Sequence, residues 1–221
     1  NELRSPTENL KDSQINNSNY YSLNALLSKP YISKKYLGIL RDKKESIEKS
    51  LLQNINKFNV IITTGGASVG EEDHLIKVVQ KLGKIYFWKT AIKPGRPLAI
   101  GKIKNTIVIC LPGNPVSVHL LYGMIIQPFI EYLCSGKLII PKGIATKTDF
   151  VMKKKNKRLE WLRVVLRRKK NELIVSKYQK QGSGIISSIA FSDGIIEIPE
   201  DVNLISKNDY FNFYSFKNLF D

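Results

Sequence analysis

The chain has 221 residues, of which 43% are hydrophobic and 24% are charged. A chain of this length and composition can bury roughly 70% of its unfolded surface, which excludes a disordered tail and leaves room for one or two domains. The longest run without a charged residue, residues 105–130, contains three prolines. Only residues 116–126 of that run are uninterrupted, which is too short for a membrane span.

The net charge is the most unusual feature of the composition. Lys and Arg number 35 against 19 Asp and Glu, so the formal charge is +16, which raises the possibility of nucleic-acid binding. The densest cationic runs, residues 41–44, 153–158 and 167–170, lie near turns or strand ends and lack interleaved aromatic residues. We therefore expect a solvated surface whose field attracts small anions, and no nucleic-acid partner.

The sequence carries no targeting or disulfide signal. Its N-terminus lacks the apolar segment of a signal peptide, so we expect a cytoplasmic protein without membrane association. Cys110 and Cys134 have no Cys-x-x-Cys spacing and no suitable His partner, and both are predicted to be buried small apolar residues. The missing initiator Met suggests that the sequence enters partway through a longer protein.

Hydrophobic periodicity predicts alternating helices and strands over the first two thirds of the chain. The first helix has Ser18 or Asn19 available as its cap, and Asp42 is expected to cap the second helix. A buried stripe is predicted along that second helix, made by Ile47, Leu51, Leu52 and Ile55. In chain order the expected elements are a helix at 16–27, a strand at 36–40, the second helix after 42, a strand at 59–63 buried on both faces, a helix at 73–82, strands at 85–89, 98–101 and 106–111, and a long helix at 115–133.

After residue 136 the pattern changes to short strands separated by turns, with one helical turn at 185–190. The expected strands lie at 159–166, 172–176, 194–198 and 210–216. Because alternating strands and helices with short connections imply parallel pairing, we predict a three-layer α/β/α domain with a mostly parallel sheet over residues 1–137. A small β-barrel-like domain is predicted over residues 138–221.

Three loops that leave strands are candidate ligand sites, since ligands bind outside the carboxyl ends of strands in open α/β sheets. The first, residues 64–70 (TGGASVG), would let backbone N–H groups approach an anion, although a glycine turn can also be only a turn. Its ligand-binding candidates are Thr64, Gly65, Gly66, Ser68 and Gly70. We expect the three loops to converge over one edge of the sheet.

The second loop contains Pro112, Gly113 and Asn114 and is followed by Pro115 at the start of the long helix. Such an abrupt helix start directs free N–H groups toward an anion, but a plainly capped helix would have the same sequence. The third loop, residues 88–97, carries three cations and no acid, namely Lys89, Lys93 and Arg96. Because charge pairs gain strength in partly enclosed surroundings, these cations outweigh the longer exposed runs.

Two carboxylates, Asp73 and Glu2, are placed near these loops by the predicted fold, and bridging Mg²⁺ to ligand phosphates is a role that suits them. Helix capping is the alternative for Asp73. His74 and His119 lack any partner that would make a catalytic dyad, and we interpret both as structural.

Together these residues resemble the molybdopterin molybdenumtransferase family, the group of MoeA and the gephyrin E domain. The resemblance covers nearly the whole chain and depends on the order and spacing of several short motifs. These are residues 64–70 followed by Asp73, residues 87–89 with 92–97, residues 111–117, residues 181–184 with 187–188, and residues 193–194.

The resemblance implies an enzyme of molybdenum cofactor biosynthesis that inserts molybdate into adenylylated molybdopterin and releases AMP, with Mg²⁺ and as a homodimer. By position, Asp73, Glu2, Lys89 and Lys93 correspond to catalytic pocket residues of the family, with Asp73 and Glu2 as the metal ligands. Arg163 and Ser183 correspond to pocket-facing residues of its β domain.

Two departures from the family pattern weaken the metal site, because Asn17 and Asn1 stand where Asp is usual. The family's N-terminal domains are also absent from this sequence, so binding is a safer expectation than turnover. Two alternatives stay open, a non-catalytic molybdopterin-binding or scaffold module and a molybdopterin adenylyltransferase. The trailing β domain disfavours the second.

Overall fold

The computed structural model describes residues 2–66, 74–169 and 172–220. Three predicted site residues, Ser68, Gly70 and Asp73, lie outside the described residues. The chain divides into two compact units. Unit 1 comprises Asn1–Thr90 and Pro97–Gly113, and unit 2 comprises Ala91–Arg96 and Asn114–Asp221.

The elements up to the long helix are β1 (Leu3–Arg4), β2 (Ile15–Asn16), α1 (Ser18–Leu26), α2 (Lys44–Asn54), β3 (Val60–Thr64), α3 (His74–Leu82), β4 (Lys84–Trp88), β5 (Ile92–Lys93), β6 (Ala99–Ile103) and β7 (Thr106–Leu111). The later elements are α4 (Pro115–Leu121), a π-helical turn (Tyr122–Ile126), α5 (Gln127–Ser135), β8 (Ile144–Thr148), β9 (Met152–Lys153), β10 (Leu159–Lys169), β11 (Glu172–Lys177), α6 (Ser187–Ala190), β12 (Gly194–Ile198), β13 (Leu204–Ile205), β14 (Tyr210–Ser215) and α7 (Phe216–Phe220).

Unit 1 contains a mixed sheet of four described strands in the order β3-β7-β6-β4. Only β3 and β7 pair in parallel, whereas β6 pairs antiparallel with both β7 and β4. The α/β class is therefore confirmed, but the prediction of a mostly parallel sheet is wrong. The reason is the connection at Lys104 and Asn105, where Lys104 has a φ of 50°. A loop of this length can join only antiparallel strands.

The core of unit 1 lies between the sheet and helices α2 and α3. Val78, Val79, Val108 and Cys110 are at most 1% exposed there. Cys110 is thus buried as predicted, whereas Cys134 is exposed.

Several local predictions in unit 1 are wrong. Residues 36–40 form no strand. The N-cap of α2 is Lys43, not Asp42, and no side chain caps that end. Ile47, Leu51 and Ile55 are buried, but Leu52 is 53% exposed because it follows Leu51 and points about 100° around the helix from it.

Unit 2 contains a closed five-stranded barrel, which confirms the β-barrel-like prediction. The sheet order β11-β8-β14-β12-β10 is closed by an additional pairing between β10 and β11. Strand β5, from the third predicted loop, pairs in parallel with β10 outside this ring. The barrel core includes Leu162, Val164, Val175 and Ile196, each at most 1% exposed.

The long helix of unit 2 is continuous from Pro115 to Ser135. It is therefore longer than the uninterrupted stretch of residues 116–126 that the sequence predicted. Pro128 does not interrupt it, because the π-helical turn precedes α5 and places this residue in the first turn of that helix. By length and composition this helix could cross a bilayer, and it is the one such helix among the described residues. More than half of its most apolar stretch, 56%, is buried inside the protein, and core helices of soluble proteins have the same character.

Candidate functional site

The two glycine turns of unit 1, at residues 64–66 and 112–113, lie side by side. They follow the adjacent parallel strands β3 and β7, and the Gly65 N–H donates to the Leu111 carbonyl at 3.0 Å. Gly65 and Gly66 have φ values of 80° and 69°, which favour glycine. A Cβ placed on Gly113 would lie 3.6 Å from the Gly65 Cα. The predicted closeness of these two turns is therefore observed.

Asn19 of helix α1 reaches the second glycine turn. Its Nδ2 donates to the Gly113 carbonyl at 2.7 Å, and the residue is 7% exposed. Its Oδ1 is buried and has no hydrogen-bond partner among the residues that the structure describes. Asn19 therefore does not cap α1, contrary to one of the two predicted options.

The cap of α1 is Asn17, not Ser18 or Asn19. The Asn17 Oδ1 accepts from the Tyr20 N–H at 3.2 Å, and its Nδ2 donates to the Tyr36 hydroxyl at 3.2 Å. Tyr36 in turn stacks on Tyr20 with ring centroids 3.8 Å apart. Burial raises the pKa of the Tyr36 hydroxyl. The side-chain oxygen of Asn17 is thus occupied by the helix start.

The remaining predicted site residues of unit 1 that the structure describes, Lys89 and Glu2, are both exposed. Lys89 has a φ of 68°, and its Nζ lies 4.2 Å from the centroid of the Trp88 ring. The main-chain oxygen of Glu2 accepts from the Ile15 N–H at 2.8 Å. Across the described ranges, no group of three or more His, Cys, Asp or Glu side chains could hold a metal ion.

In unit 2, Lys93 forms an ion pair that the sequence did not predict. Strand β5 places Lys93 directly opposite Glu160 of β10, and the Lys93 Nζ lies 2.8 Å from the Glu160 Oε1. The Glu160 side chain is 8% exposed, against 41% for Lys93. Arg96, from the same loop, is exposed.

Arg163, also on β10, is only 2% exposed. Its guanidinium donates over long distances of 3.3 to 3.4 Å to the Ser188 Oγ and to the carbonyls of Trp161 and Gly182. Burial is the main cause that lowers the pKa of Arg163 to about 10, and the charge of Glu160 opposes this shift. Within the described residues Arg163 has no ion pair.

The predicted residues Ser183 and Asn114 come together at the start of α4. The Val116 N–H donates to the Ser183 carbonyl at 3.1 Å, so this amide is not free for a ligand, contrary to the prediction. Asn114 is the N-cap residue, but its side chain makes no capping hydrogen bond. The loop that carries Ser183 is also held to Arg163, because the Gln181 Oε1 accepts from the Arg163 N–H at 3.1 Å.

Two buried charged residues of unit 2, Glu160 and Lys154, were missed by the sequence analysis. Lys154 is 5% exposed, and its ammonium donates to the Pro199 carbonyl. Burial lowers the pKa of Lys154, and Glu160 opposes this. In β10 all of residues 160–164 are buried, although two of them are charged. We call Lys93, Lys154, Glu160 and Arg163 the cation cluster.

His119 has the structural surroundings that were expected for it. Its Nδ1 lies 2.9 Å from the Pro115 carbonyl oxygen, and its ring meets Phe220 edge-on with centroids 5.9 Å apart. Burial lowers the pKa of His119, which favours the neutral imidazole.

The sequence matches two families in succession. Residues 5–132 match a family described as a probable molybdopterin binding domain, and residues 146–216 match the MoeA C-terminal region, domain IV. The first match covers more than half of the chain, so the chain belongs to the family of molybdopterin-binding domains. The two matches together correspond to the C-terminal portion of MoeA, which confirms the resemblance inferred from the motifs.

Individual relatives agree with this assignment. The molybdopterin molybdenumtransferase of Haemophilus influenzae is 31% identical over 212 residues, which are 95% of this chain and 52% of the relative. A putative molybdopterin biosynthesis protein of Methanocaldococcus jannaschii is 31% identical over 98% of this chain and 52% of the relative. A MoeA crystal structure from Pyrococcus horikoshii has a TM-score of 0.81 at 27% identity and covers 98% of this chain. The chain thus spans about half the length of the curated relatives it matches.

Proposed function

We propose that this chain acts in molybdenum cofactor biosynthesis as the C-terminal part of a molybdopterin molybdenumtransferase. The reaction inserts molybdate into adenylylated molybdopterin and releases AMP. One observation carries the proposal, namely the burial of Arg163 without an ion pair among the described residues. Burying an uncompensated cation is costly, and a bound oxyanion would supply the missing charge.

The surroundings of Arg163 support an oxyanion site in unit 2. Lys93 is paired with the buried carboxylate of Glu160, which lies on the barrel-core face of β10 with Leu162. Arg163 lies on the other face of the strand and has no carboxylate partner among the described residues. An oxyanion such as molybdate would compensate the charge of Arg163. Guanidinium N–H groups and the Ser183 loop would orient its oxygens.

The glycine turns of unit 1 suit a different part of the substrate. Thr64, Gly65, Gly66, Pro112 and Gly113 form these turns, and turns of this kind bind phosphate groups through their N–H donors. The donors would be the N–H groups of Gly66 and Gly113, because the Gly65 N–H is bonded to the Leu111 carbonyl and Pro112 has no N–H. Lys89 would neutralise a phosphate from its exposed position. We therefore propose that unit 1 holds the phosphate-bearing substrate, adenylylated molybdopterin.

Several further points belong to the proposal and depend on the family resemblance. Mg²⁺ would require Asp73 and Glu2. The described residues offer no metal cluster and the oxygen of Asn17 is occupied, so we derive no step through this ion. Ser68, Gly70, Arg96 and Asn114 are proposed as additional ligand contacts. We further propose a cytoplasmic homodimer without membrane or nucleic-acid partners, with domains over residues 1–137 and 138–221.

The test is molybdate-dependent release of AMP from adenylylated molybdopterin. It should be run with this chain and with a chimera that restores the remaining part of the Haemophilus influenzae relative. AMP release by the chimera, abolished by the Arg163→Met substitution, is expected. A chimera that folds and binds the nucleotide but never releases AMP would contradict the transferase assignment.

One observation favours a second candidate, a module that binds molybdopterin without turnover. The Asn17 side chain, which stands where the family usually has Asp, accepts from the Tyr20 N–H and donates to the Tyr36 hydroxyl, and it lacks the negative charge that Mg²⁺ prefers. Binding of the adenylylated pterin by a chimera that is inactive, even after Asn17→Asp, would support this candidate.

A further inference from the structure

The side-chain amide of Gln181 extends the hydrogen-bond ladder between β10 and β11 by one link. The antiparallel register of these strands reaches Val164 and Lys177, and one step further the Tyr178 N–H donates to the Arg163 carbonyl at 3.0 Å. An antiparallel pair would return a bond from the Arg163 N–H to the Tyr178 carbonyl. The Gln181 amide lies between these two groups. Its Oε1 accepts from the Arg163 N–H at 3.1 Å, and its Nε2 donates to the Tyr178 carbonyl at 2.7 Å.

A third bond ties the same amide to Arg163. The Gln181 Nε2 also donates to the Arg163 carbonyl at 2.8 Å. One side chain is therefore bonded to both main-chain polar groups of Arg163, which requires an acceptor and two donors on one planar group. Glutamine provides all three, whereas a carboxylate provides only acceptors.

The loop that begins at Gln181 runs along the guanidinium of Arg163, which lies on the face of β10 away from the barrel core. The Gly182 carbonyl accepts from the Arg163 Nη2 at 3.4 Å, and the Ser188 Oγ accepts from its Nε at 3.3 Å. These bonds are long and therefore weak, whereas the bonds of the Gln181 amide have ordinary lengths. The Gln181 amide is thus the stronger attachment of this loop to β10.

We propose that Gln181 is a positioning residue, which holds the Ser183 loop against Arg163 and thereby fixes the direction in which the guanidinium N–H groups meet an oxyanion. This inference rests on the proposed oxyanion site. Gln181 acts through Arg163, because its own amide is used by main-chain groups. Hydrogen bonds from a guanidinium to an oxyanion depend on the alignment of its planar fork, so a loosened loop should weaken binding.

Gln181→Met tests the inference, because methionine has a similar length but neither the acceptor nor the donors of the amide. Molybdate affinity of the full chain, measured by calorimetry, should fall about tenfold. Affinity for adenylylated molybdopterin, which the proposed function assigns to unit 1, should stay within about twofold of the wild type. Gln179→Met is the matched control, since Gln179 is exposed and lies two residues away. It should change neither affinity.

A spectroscopic measurement separates positioning from a general loss of stability. The Arg163 Nε–H gives a signal in proton–nitrogen correlation spectra that is identified by its absence from Arg163→Met. Molybdate should shift this signal in the wild type. In Gln181→Met the signal of the free protein should already be displaced, and the shift caused by molybdate should be smaller. A signal that is identical in both proteins, with and without molybdate, would contradict the inference.

The outcomes distinguish this inference from the proposal beneath it. If folded Gln181→Met binds molybdate as the wild type does, or weakens both ligands by the same factor, the inference is wrong while the oxyanion site stands. If the wild type does not bind molybdate, both are wrong. Urea unfolding identifies a Gln181→Met sample that does not fold. In that case Gln181→Asn decides, because it keeps the amide but is one methylene too short to make all three bonds. It should weaken molybdate binding about threefold, and wild-type affinity in this variant would overturn the inference.

Discussion

The glycine turns of unit 1 and the cation cluster of unit 2 differ in the groups that form them, which are main-chain groups in the turns and charged side chains in the cluster. In the turns, Gly65 and Gly66 adopt positive φ, and the side chain bonded to the second turn is a neutral amide, that of Asn19. In the cluster, the charged side chains of Glu160 and Arg163 are buried on barrel strand β10, and the partly exposed Lys93 lies on β5 beside it. The turns depend on backbone conformation, whereas the cluster depends on charge. Substitutions should therefore affect stability in the first and ligand binding in the second.

The largest expected effect is that of Arg163→Met. Methionine fills a similar volume without charge, so oxyanion affinity should fall at least about 100-fold, a loss of about 2.7 kcal/mol. The free energy of unfolding should stay equal or rise by up to about 2 kcal/mol, because the cost of burying an unpaired charge is removed. Molybdate titration and urea unfolding measure the two quantities. The exposed Arg167→Met, on the same strand, should change neither.

The pH dependence of this variant gives an independent check. Because burial lowers the pKa of Arg163 to about 10, well below its ordinary value, the folded state is penalised wherever the guanidinium is charged. That penalty is complete below pH 10 and diminishes as the pH rises above the folded-state pKa of about 10. The stability difference between Arg163→Met and wild type should therefore shrink between pH 9 and about 11. A difference independent of pH would contradict this account.

In the glycine turns the largest effect is expected from Gly65→Ala. Gly65 has a φ of 80°, and its Cβ would find the nearest atom, the Gly113 Cα, only at 4.0 Å. The cost is therefore conformational and should be about 1–2 kcal/mol of unfolding free energy. Gly113→Ala is the matched control, since its Cβ would also meet only an ordinary contact and its φ is not positive. Equal losses in the two variants would mean that space, not conformation, limits these turns.

The same contrast explains what could be predicted from the sequence. The glycine turns follow strands and contain local signals, so both their positions and their proximity were predictable from residues 64–70 and 112–113. The cap of α1 was missed by one residue, because Asn17, Ser18 and Asn19 are all good caps. Asn17 differs from the other two because its Nδ2 donates a hydrogen bond to the hydroxyl of Tyr36, 19 residues away along the chain.

The cation cluster could be predicted only in part. The resemblance indicated Lys93 and Arg163, but Glu160 was missed because its role depends on a two-residue pairing of β5 with β10 across 67 residues of chain. No periodicity encodes such a pairing. The antiparallel pairing of β6 with β7 was missed for a different reason. The first of the two strands was expected to end at residue 101, whereas β6 extends to Ile103 and leaves a connection of two residues.

Lys93→Ala should have an intermediate effect. Its ammonium is 41% exposed and shares its charge with Glu160, so its loss should weaken binding of the adenylylated pterin about tenfold, or about 1.4 kcal/mol. The free energy of unfolding should also fall, because the buried carboxylate of Glu160 would lose its partner. Lys147→Ala removes the lysine of the other barrel ion pair and should leave pterin affinity unchanged. Unchanged affinity in a folded Lys93→Ala variant would exclude Lys93 from the site.

The smallest expected effect is that of Asn19→Ala on stability. The substitution removes the donor at 2.7 Å from the Gly113 carbonyl, but it also removes a buried Oδ1 that has no partner among the described residues. The two changes oppose each other, and the net loss should be about 1 kcal/mol of unfolding free energy. Asn19→Asp keeps the size but replaces the donor with an acceptor facing the same carbonyl. It should therefore cost more than Asn19→Ala in urea unfolding at neutral pH. The reverse order would show that the Asn19 bond to the second glycine turn contributes nothing to stability.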